Sequence, residues 1–599
     1  MRTRKVAVTG TAAKLKRIAM GVAVCLTTPL VLVSCGGGGG GTDLTRTNFF
    51  VAPLGTQSLS DTEVDNIVAR AVQASISRGV QSTIAITDRV GNVLAVYQMN
   101  NAAANTTITS GLPSADGNGL DGITVPSTFA AIAKAITGAY LSSTGNAFST
   151  RTASQIVQEF FQPGEAAPRV AGQPSGPLYG VQFSQLPCSD LNVWLSQSAT
   201  IGPKRSPLGL SADPGGFPIY ENGRVVGGIG VISSSNAGVN GKYSLDRNIL
   251  DNETDLDEEI AFAALPEAFR APEQIRGNQI TANGQTFQFS NSTPTTAGVA
   301  DLTINGSYQA ILGYKENDMP ISGTSYGTSS SGYVASIDPA FGGLNAFTLV
   351  TNPADNTAVR FPPTDGISLS KDEVENTLVE ALKIANRTRG QIRNPLGSAA
   401  EVTVSVVDTD GAILGLIRSS DAPVFGTDVS VQKARSALTF SSAEALTDFR
   451  SIGSAAPPSN TDGPHASFAI AMDTFFTGQA SSLNGSKAFS ARAIGNVHRP
   501  YFPDAEVGRD EGPLSSPIST WSPFNVGFQL NIVANKVFAT FDEETRTVIG
   551  GNQFAPDPSQ TCVDDVNIPA GRQSRFANGM QIFPGGFPIY KGDTLVGAI

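Results

Sequence analysis

The sequence predicts an α+β fold built twice: two tandem copies of a domain in which helices pack on an antiparallel sheet. Three observations predict it. Pro214-Gly215-Gly216-Phe217-Pro218-Ile219-Tyr220 recurs, residue for residue, as Pro584-Gly585-Gly586-Phe587-Pro588-Ile589-Tyr590. Shorter matches fall in the same order before it: Leu59-Ser60 with Leu369-Ser370, Lys134-Ala135-Ile136-Thr137 with Lys433-Ala434-Arg435-Ser436, and Ala147-Phe148-Ser149 with Ala488-Phe489-Ser490. Within each copy, stretches of helical periodicity are separated by short β-rich runs bounded by turn residues.

The elements can be justified in order. Ser60 with Glu63 has the spacing of a capping box, and Leu59 with Val64 that of a hydrophobic staple; Ser370 with Glu373 and Leu369 with Val374 repeat both. Apolar residues at Val64, Ile67, Val68, Ala71 and Val72 then predict an amphipathic helix. Thr83–Thr87 and Val93–Tyr97 read as strands of a hairpin, joined through Gly91-Asn92; the second copy turns at Asp410-Gly411. A second helix is predicted over Phe129–Ala139, and over Val431–Leu438 in the second copy. Asn222-Gly223 turns a late hairpin, Phe217–Tyr220 into Val225–Ile232. Asp255–Leu265 closes the copy as a helix with acids in its first turn, where the helix dipole favours them.

The copies differ in spacing. From Lys134 to Pro214 is 80 residues, and from Lys433 to Pro584 is 151, so the second copy holds about 70 extra, placed by this reading at roughly 500–580. The organisation expected is a first domain over 58–269, a linker or small β-rich insertion over 270–366, and a second domain over 367–599. In that linker Thr286–Phe289 and Ala346–Val350 look strand-like. The second copy stops at Gly597-Ala598-Ile599, where the first continues into more strand and the acidic helix, and is expected to be incomplete at its end.

Ahead of the repeat lies a different signal. Arg2, Arg4, Lys5, Lys14, Lys16 and Arg17 precede an apolar run, Ile18–Ser34, with no acid before Asp43. A basic segment followed by an apolar one too short for a comfortable bilayer span is the layout of an export signal, here residues 1–34. Leu32-Val33-Ser34-Cys35 resembles the lipobox of bacterial lipoproteins, which implies acylation of Cys35 and attachment to a lipid bilayer in the cell envelope. Gly36–Gly41 reads as a flexible tether within residues 35–57. By the same resemblance, the absence of Asp at Gly36 favours the outer membrane.

Loss of the signal removes six positive charges, taking the net charge from −11 to −17. So acidic a body offers no surface for neutralising phosphates, which argues against nucleic acid as a partner. After export and acylation two cysteines remain, Cys188 and Cys562, which either pair across the copies in an oxidising compartment or stay as separate buried thiols. No CxxC or HxxxH spacing suggests a metal site, a Ser-His-Asp arrangement would have to draw on His465 or His498, and no phosphate-binding GxxxxGK(S/T) loop or GxGxxG after a strand points to an enzyme. The acidic run from Asp251 to Glu259 lacks the sixth-position glycine of an EF-hand and reads as a helix start.

The order of the capped helix, the Asp88…Gly91-Asn92 hairpin, the Lys134-Ala135-Ile136-Thr137 helix, Gly215-Gly216-Phe217-Pro218-Ile219-Tyr220, Gly227-Gly228-Ile229-Gly230-Val231 and Asp255-Leu256-Asp257-Glu258-Glu259-Ile260-Ala261 resembles the GlcG/HbpS family of small α+β domains. Members bind haem or act as extracellular haem sensors, often as oligomers, and a related domain ends some propanediol-utilisation cobalamin adenosyltransferases. The resemblance implies haem or a related tetrapyrrole as cofactor, with Lys134 and Thr137, and Lys433 and Ser436, as contacts on the second helix of each copy. His498 is the further candidate, since His is a usual iron ligand and the first copy has none. The expectation is an anchored extracytoplasmic binding protein whose copies pack as a pseudo-twofold dimer, open to higher oligomers. The alternatives are a protein-interaction lipoprotein and an enzyme of unknown type.

Overall fold

In the first half, helix α1 (Asp61–Arg78) starts where Ser60 and Glu63 exchange hydrogen bonds and stops on Gly79 in the left-handed region. Strands β1 (Gln81–Asp88) and β2 (Val93–Met99) form the expected hairpin, with a bulge at Ile86/Thr87. Next come β3 (Asn105–Ile108), β4 (Thr124–Pro126), α2 (Ser127–Tyr140) and α3 (Thr150–Val157). The half ends with β5 (Gly216–Glu221), β6 (Arg224–Ser234), β7 (Gly241–Tyr243) and α4 (Leu256–Ala264), capped by the Asp255 carboxylate. Asn222 and Gly223 both take positive φ in the β5–β6 turn, as a two-residue hairpin of this twist requires.

This computed structural model describes residues 57–158, 176–192, 201–234, 241–247, 252–282, 284–293, 295–452, 465–476, 482–503, 508–541, 561–563, 568 and 571–599. The export signal, Cys35 and the glycine tether of the sequence reading lie outside them.

The middle stretch supplies β8 (Thr281–Ala282), β9 (Gln285–Thr286), the single turn α5 (Leu302–Asn305), β10 (Gly306–Tyr308), β11 (Tyr333–Ala335), β12 (Phe347–Asn352) and β13 (Asp355–Val359). It does not fold apart from the rest. Strand β10 extends the first sheet through β2, in the order β10-β2-β1-β6-β5. Strand β12 extends the second sheet. Of Thr286–Phe289 only Thr286 is in a strand: Phe287 packs edge-on against Phe148, and Phe289 against Phe217 and Phe262. The apolar alternation there reflects burial of rings rather than strand pairing.

The second half repeats the local devices: α6 (Lys371–Arg387) behind a Ser370–Glu373 capping box, then β14 (Thr403–Val407) and β15 (Ile413–Arg418) with a bulge at Val406/Val407. Helix α7 (Gly426–Ser441) follows, then α8 (Ala445–Ser451), α9 (Ala466–Phe475), α10 (Ala491–Asn496), α11 (Phe528–Asn531) and α12 (Ala534–Phe541). Strands β16 (Pro588–Lys591) and β17 (Thr594–Ala598) end it, bulged at Ile589/Tyr590 as β5–β6 is at Ile219/Tyr220. The second sheet runs β11-β12-β15-β14-β17-β16, with β13 paired to β12. Together these elements make an α+β protein with several antiparallel sheets.

One expectation needs correction. The extra residues of the second half do not lie mainly at 500–580. The second half uses 49 residues between α7 and α10, against nine between α2 and α3, and builds α8 and α9 there. The Lys-to-Pro spacing measures only the total added; the Ala147 and Ala488 anchors between, 13 and 55 residues from their lysines, place most of it before α10.

The described residues pack as one unit. Strand β1 shows how. Ile84 and Ile86 point to the α1–α4 side of the first sheet, and Ala85 to the α2 side. The core on the α2 side continues without a break into that around α7, joining Ala131, Ala135 and Phe148 to Val431, Leu438 and Phe528. Polar ties cross the same junction. Asp428 accepts from the Gln185 amide and the Ser189 hydroxyl, Arg435 pairs with Asp190, and Arg89 and Arg393 both hold Asp421. Cys188 and Cys562 are bonded across it.

Candidate functional site

The repeated Pro-Gly-Gly segment lies over the lysine of the central helix in both halves. In the first half Lys134 is fully buried on α2, which crosses under β5 and β6. Its Nζ lies 2.5 Å from an Asp213 oxygen and 2.8 Å from an Asp257 oxygen, and donates to the carbonyls of Pro214 at 2.7 Å and Val231 at 2.8 Å. Burial alone would pull the amine below its ordinary pKa, but the Asp213 and Asp257 carboxylates outweigh it and hold it above. Burial pushes Asp213 up, against the pull of Lys134. Gly215 is required here: it sits at φ +112°, and a Cβ would fall 2.5 Å from that of Asp257 and 3.1 Å from Nζ. Four positions on, Ala133 accepts from the Thr137 hydroxyl, which in turn accepts from the Ser211 amide at 2.7 Å.

The second half keeps the frame and changes the charges. Ser436 bonds back to the Gln432 carbonyl and accepts from the Gln581 amide at 2.9 Å, as Thr137 does. Gly585 stands at φ +128°, with room for a Cβ only 3.0 Å from the Lys433 amine. Phe583 occupies the place of Asp213 in the aligned repeat, and the Lys433 amine rests 4.0 Å from the centre of its ring. No carboxylate pairs with Lys433 among the described residues. Half-buried as a residue, it has its amine pushed down to about 7 by burial. His498 is fully buried, with Nδ1 2.7 Å from the Ile494 carbonyl and Nε2 without a hydrogen-bond partner. Burial lowers its pKa to about 4, so the ring is neutral at physiological pH.

The residues that the family resemblance singles out are thus brought onto equivalent places, but inside the packing. Thr137 and Ser436 clasp the segment arriving ahead of the Pro-Gly-Gly turn, and Lys134 neutralises buried carboxylates. None of the three lines an open cleft. Sequence reasoning missed Asp213 and Asp257 as lysine partners. Asp257 read as one acid among several at a helix start. The signal for Asp213 was the contrast with Phe583 at the edge of the repeated heptapeptide. The larger described cavity, about 640 Å³ and open, lies elsewhere, between α1 and the α5–β10 segment, with Asp65, Tyr97, Tyr308 and Met319 on its walls. Among the described residues no cluster of His, Cys, Asp and Glu is arranged to hold a metal ion.

No family model and no curated protein matches the chain. Among solved structures it is similar to the Klebsiella pneumoniae protein ORFY of family DUF336, at 17% identity and a TM-score of 0.19 over 36% of this chain and 93% of that one. It is also similar to PduOC in complex with haem, at 18% identity and a TM-score of 0.19 over 35% of this chain and 93% of that one.

Proposed function

We propose that this chain is a lipid-anchored, extracytoplasmic docking protein: two GlcG/HbpS-like halves packed as a pseudo-twofold pair, tethered through acylated Cys35. The observation that carries this reading is the pair of clasps. In both halves the hydroxyl that the resemblance assigns to haem, Thr137 or Ser436, accepts a backbone amide from the loop lying on it. The space beside α2 and α7 is filled by the chain itself, which favours a role in interaction over a tetrapyrrole carried in each half.

Haemin titration of residues 42–599 followed by absorbance tests it. The expected result is no saturable Soret shift that Thr137→Ala or Ser436→Ala weakens; a shift that either substitution weakens overturns the docking reading. The anchor has its own readout: palmitate labelling of the expressed chain, abolished by Cys35→Ala. A second reading, haem held by the second half alone, is favoured by one observation. The Lys433 amine lacks a carboxylate and lies beside Phe583, where a propionate would pair with it. On that reading the Soret shift appears and is lost in Lys433→Met.

A further inference from the structure

The open cavity between α1 and the α5–β10 segment, about 640 Å³, has the size of a site for a small organic molecule. Its floor is set by the sheet. Strand β10 pairs antiparallel with β2 so that Tyr308 stands opposite Tyr97, and the two rings meet edge to face with centres 5.2 Å apart. The Tyr97 hydroxyl donates to the Leu302 carbonyl at 2.7 Å, which ties the α5 turn to the sheet. Leu302, Val299 and Met319 make the remaining apolar wall, with Val299 55% and Met319 61% exposed.

The charged groups on these walls are all of one sign: Asp65, Asp301 and Asp318 line the cavity, and no lysine or arginine does. Asp65 accepts the Tyr308 hydroxyl at 2.7 Å. Asp301 accepts the Thr303 amide at 2.9 Å and the Thr303 hydroxyl at 2.7 Å, bonds that hold its carboxyl below the ordinary value and keep it charged at neutral pH. Burial pushes the Tyr97 hydroxyl up to about 12, and the Asp301 and Asp65 carboxylates add to it, so both charges act on the same floor. The cations of the neighbouring turns are engaged elsewhere. Arg70, further along α1, donates to Asn66 and to the Ala297 carbonyl. The Lys315 amine donates to Asn317 and to the Met319 carbonyl, and its charge is felt by Asp318. Asp65 and Asp301 thus meet hydroxyls and an amide where they would otherwise meet a cation.

We propose that this cavity binds a small organic cation: a protonated amine carried on an apolar body. The ammonium group pairs with Asp65 and Asp301, and the body lies against the Tyr308 ring, Leu302, Val299 and Met319. Two features of the walls select this chemistry. An anion would face carboxylates with no positive group to receive it, and a neutral apolar molecule would strand them against its own surface. Among the described residues no group of acids is arranged to ligate a metal ion, so the carboxylates, spread around aromatic and aliphatic walls, suit a cation that brings apolar surface of its own. The walls are also held in place, by the capping box of α1, the β10–β2 pairing and the Asp301 cap of α5. The cavity is separate from the clasps on α2 and α7, and the proposal does not rest on the docking reading.

The probe is tryptamine, an ammonium group on an aromatic body, titrated calorimetrically into the whole chain; tryptophol, which has a hydroxyl in place of the amine, is the neutral control. The expected result is saturable binding of tryptamine with a dissociation constant below about 1 mM, and binding of tryptophol at least about tenfold weaker. Asp65→Asn with Asp301→Asn should weaken tryptamine about tenfold or more and leave tryptophol unchanged. Both substitutions keep the local hydrogen bonds, since asparagine still accepts from Tyr308 and still caps α5. Asp116→Asn, an exposed acid away from the cavity walls, should change neither. Melting curves establish that each variant is folded. The proposal is overturned if the folded chain shows no saturable tryptamine binding, or if tryptophol binds as well as tryptamine. It is overturned too if Asp65→Asn with Asp301→Asn leaves tryptamine binding unchanged, or if magnesium displaces tryptamine at equal concentration, which would make the acids a site for any cation. Haemin is not involved in this titration, so its failure and that of the docking reading are separate.

Discussion

Lys134 and Lys433 occupy one position of a repeat, and the difference between them is a difference of neighbours. Lys134 sits between two buried carboxylates. Removing one partner of such a cluster strands the others, so Lys134→Met should lower stability by about 3–5 kcal/mol in a denaturant titration. Lys433 has no acid to strand, and Lys433→Met should leave stability unchanged or raise it. The effect of pH follows from the same contrast. The Lys433 amine titrates near 7 in the fold, below its ordinary 10.5, so between those values the unfolded chain holds more protons. Its unfavourable contribution is fully present below about pH 7 and is relieved as pH rises toward 10. Melts of the wild type and Lys433→Met should therefore differ most near pH 6.5 and converge near pH 9.5. Both lysines stand out in the sequence as parts of the repeat, but their charge partners do not: Asp257 is 123 residues from Lys134, and only folding brings them together.

At the scale of elements, the Pro-Gly-Gly turn is held by what passes beneath it. In the first half a Cβ on Gly215 would meet the Asp257 side chain, anchored on α4, at 2.5 Å. On Gly585 the nearest atom is the flexible tip of Lys433, at 3.0 Å. Both positions have positive φ, which costs any alanine about 1 kcal/mol or more. Gly215→Ala should therefore be more destabilising than Gly585→Ala by a further ~1–3 kcal/mol, checked by paired denaturant titrations. Helices and hairpins were legible here because their causes are local. The capping boxes, the Asn222-Gly223 turn and the stripe of α1 are all set within a few residues. Edge strand β10 was not legible, since a three-residue strand is defined by its pairing with β2 some two hundred residues earlier.

For the molecule as a whole, the bond between Cys188 and Cys562 closes a loop of 374 residues across the junction of the halves. Replacing both by serine should lower stability by about 2–5 kcal/mol. The variant should still unfold in one transition, because the core between α2 and α7 is continuous without the bond. Two calorimetric transitions in the variant would show that the bond, and not the core, joins the halves. Composition allowed either pairing or separate thiols; the choice depended on two loops from different halves reaching the same place.

By itself, the sequence determined the α+β class, the repeated order of elements and their caps and turns, since period, capping and turn chemistry act over a few neighbouring residues. Tertiary structure alone decided that Lys134 is neutralised by Asp213 and Asp257, that Phe583 stands beside Lys433 where Asp213 stands beside Lys134, and that Thr137 and Ser436 are clasps. Those outcomes depend on charges and surfaces meeting across a hundred residues or more, and short-range pattern carries no record of such meetings.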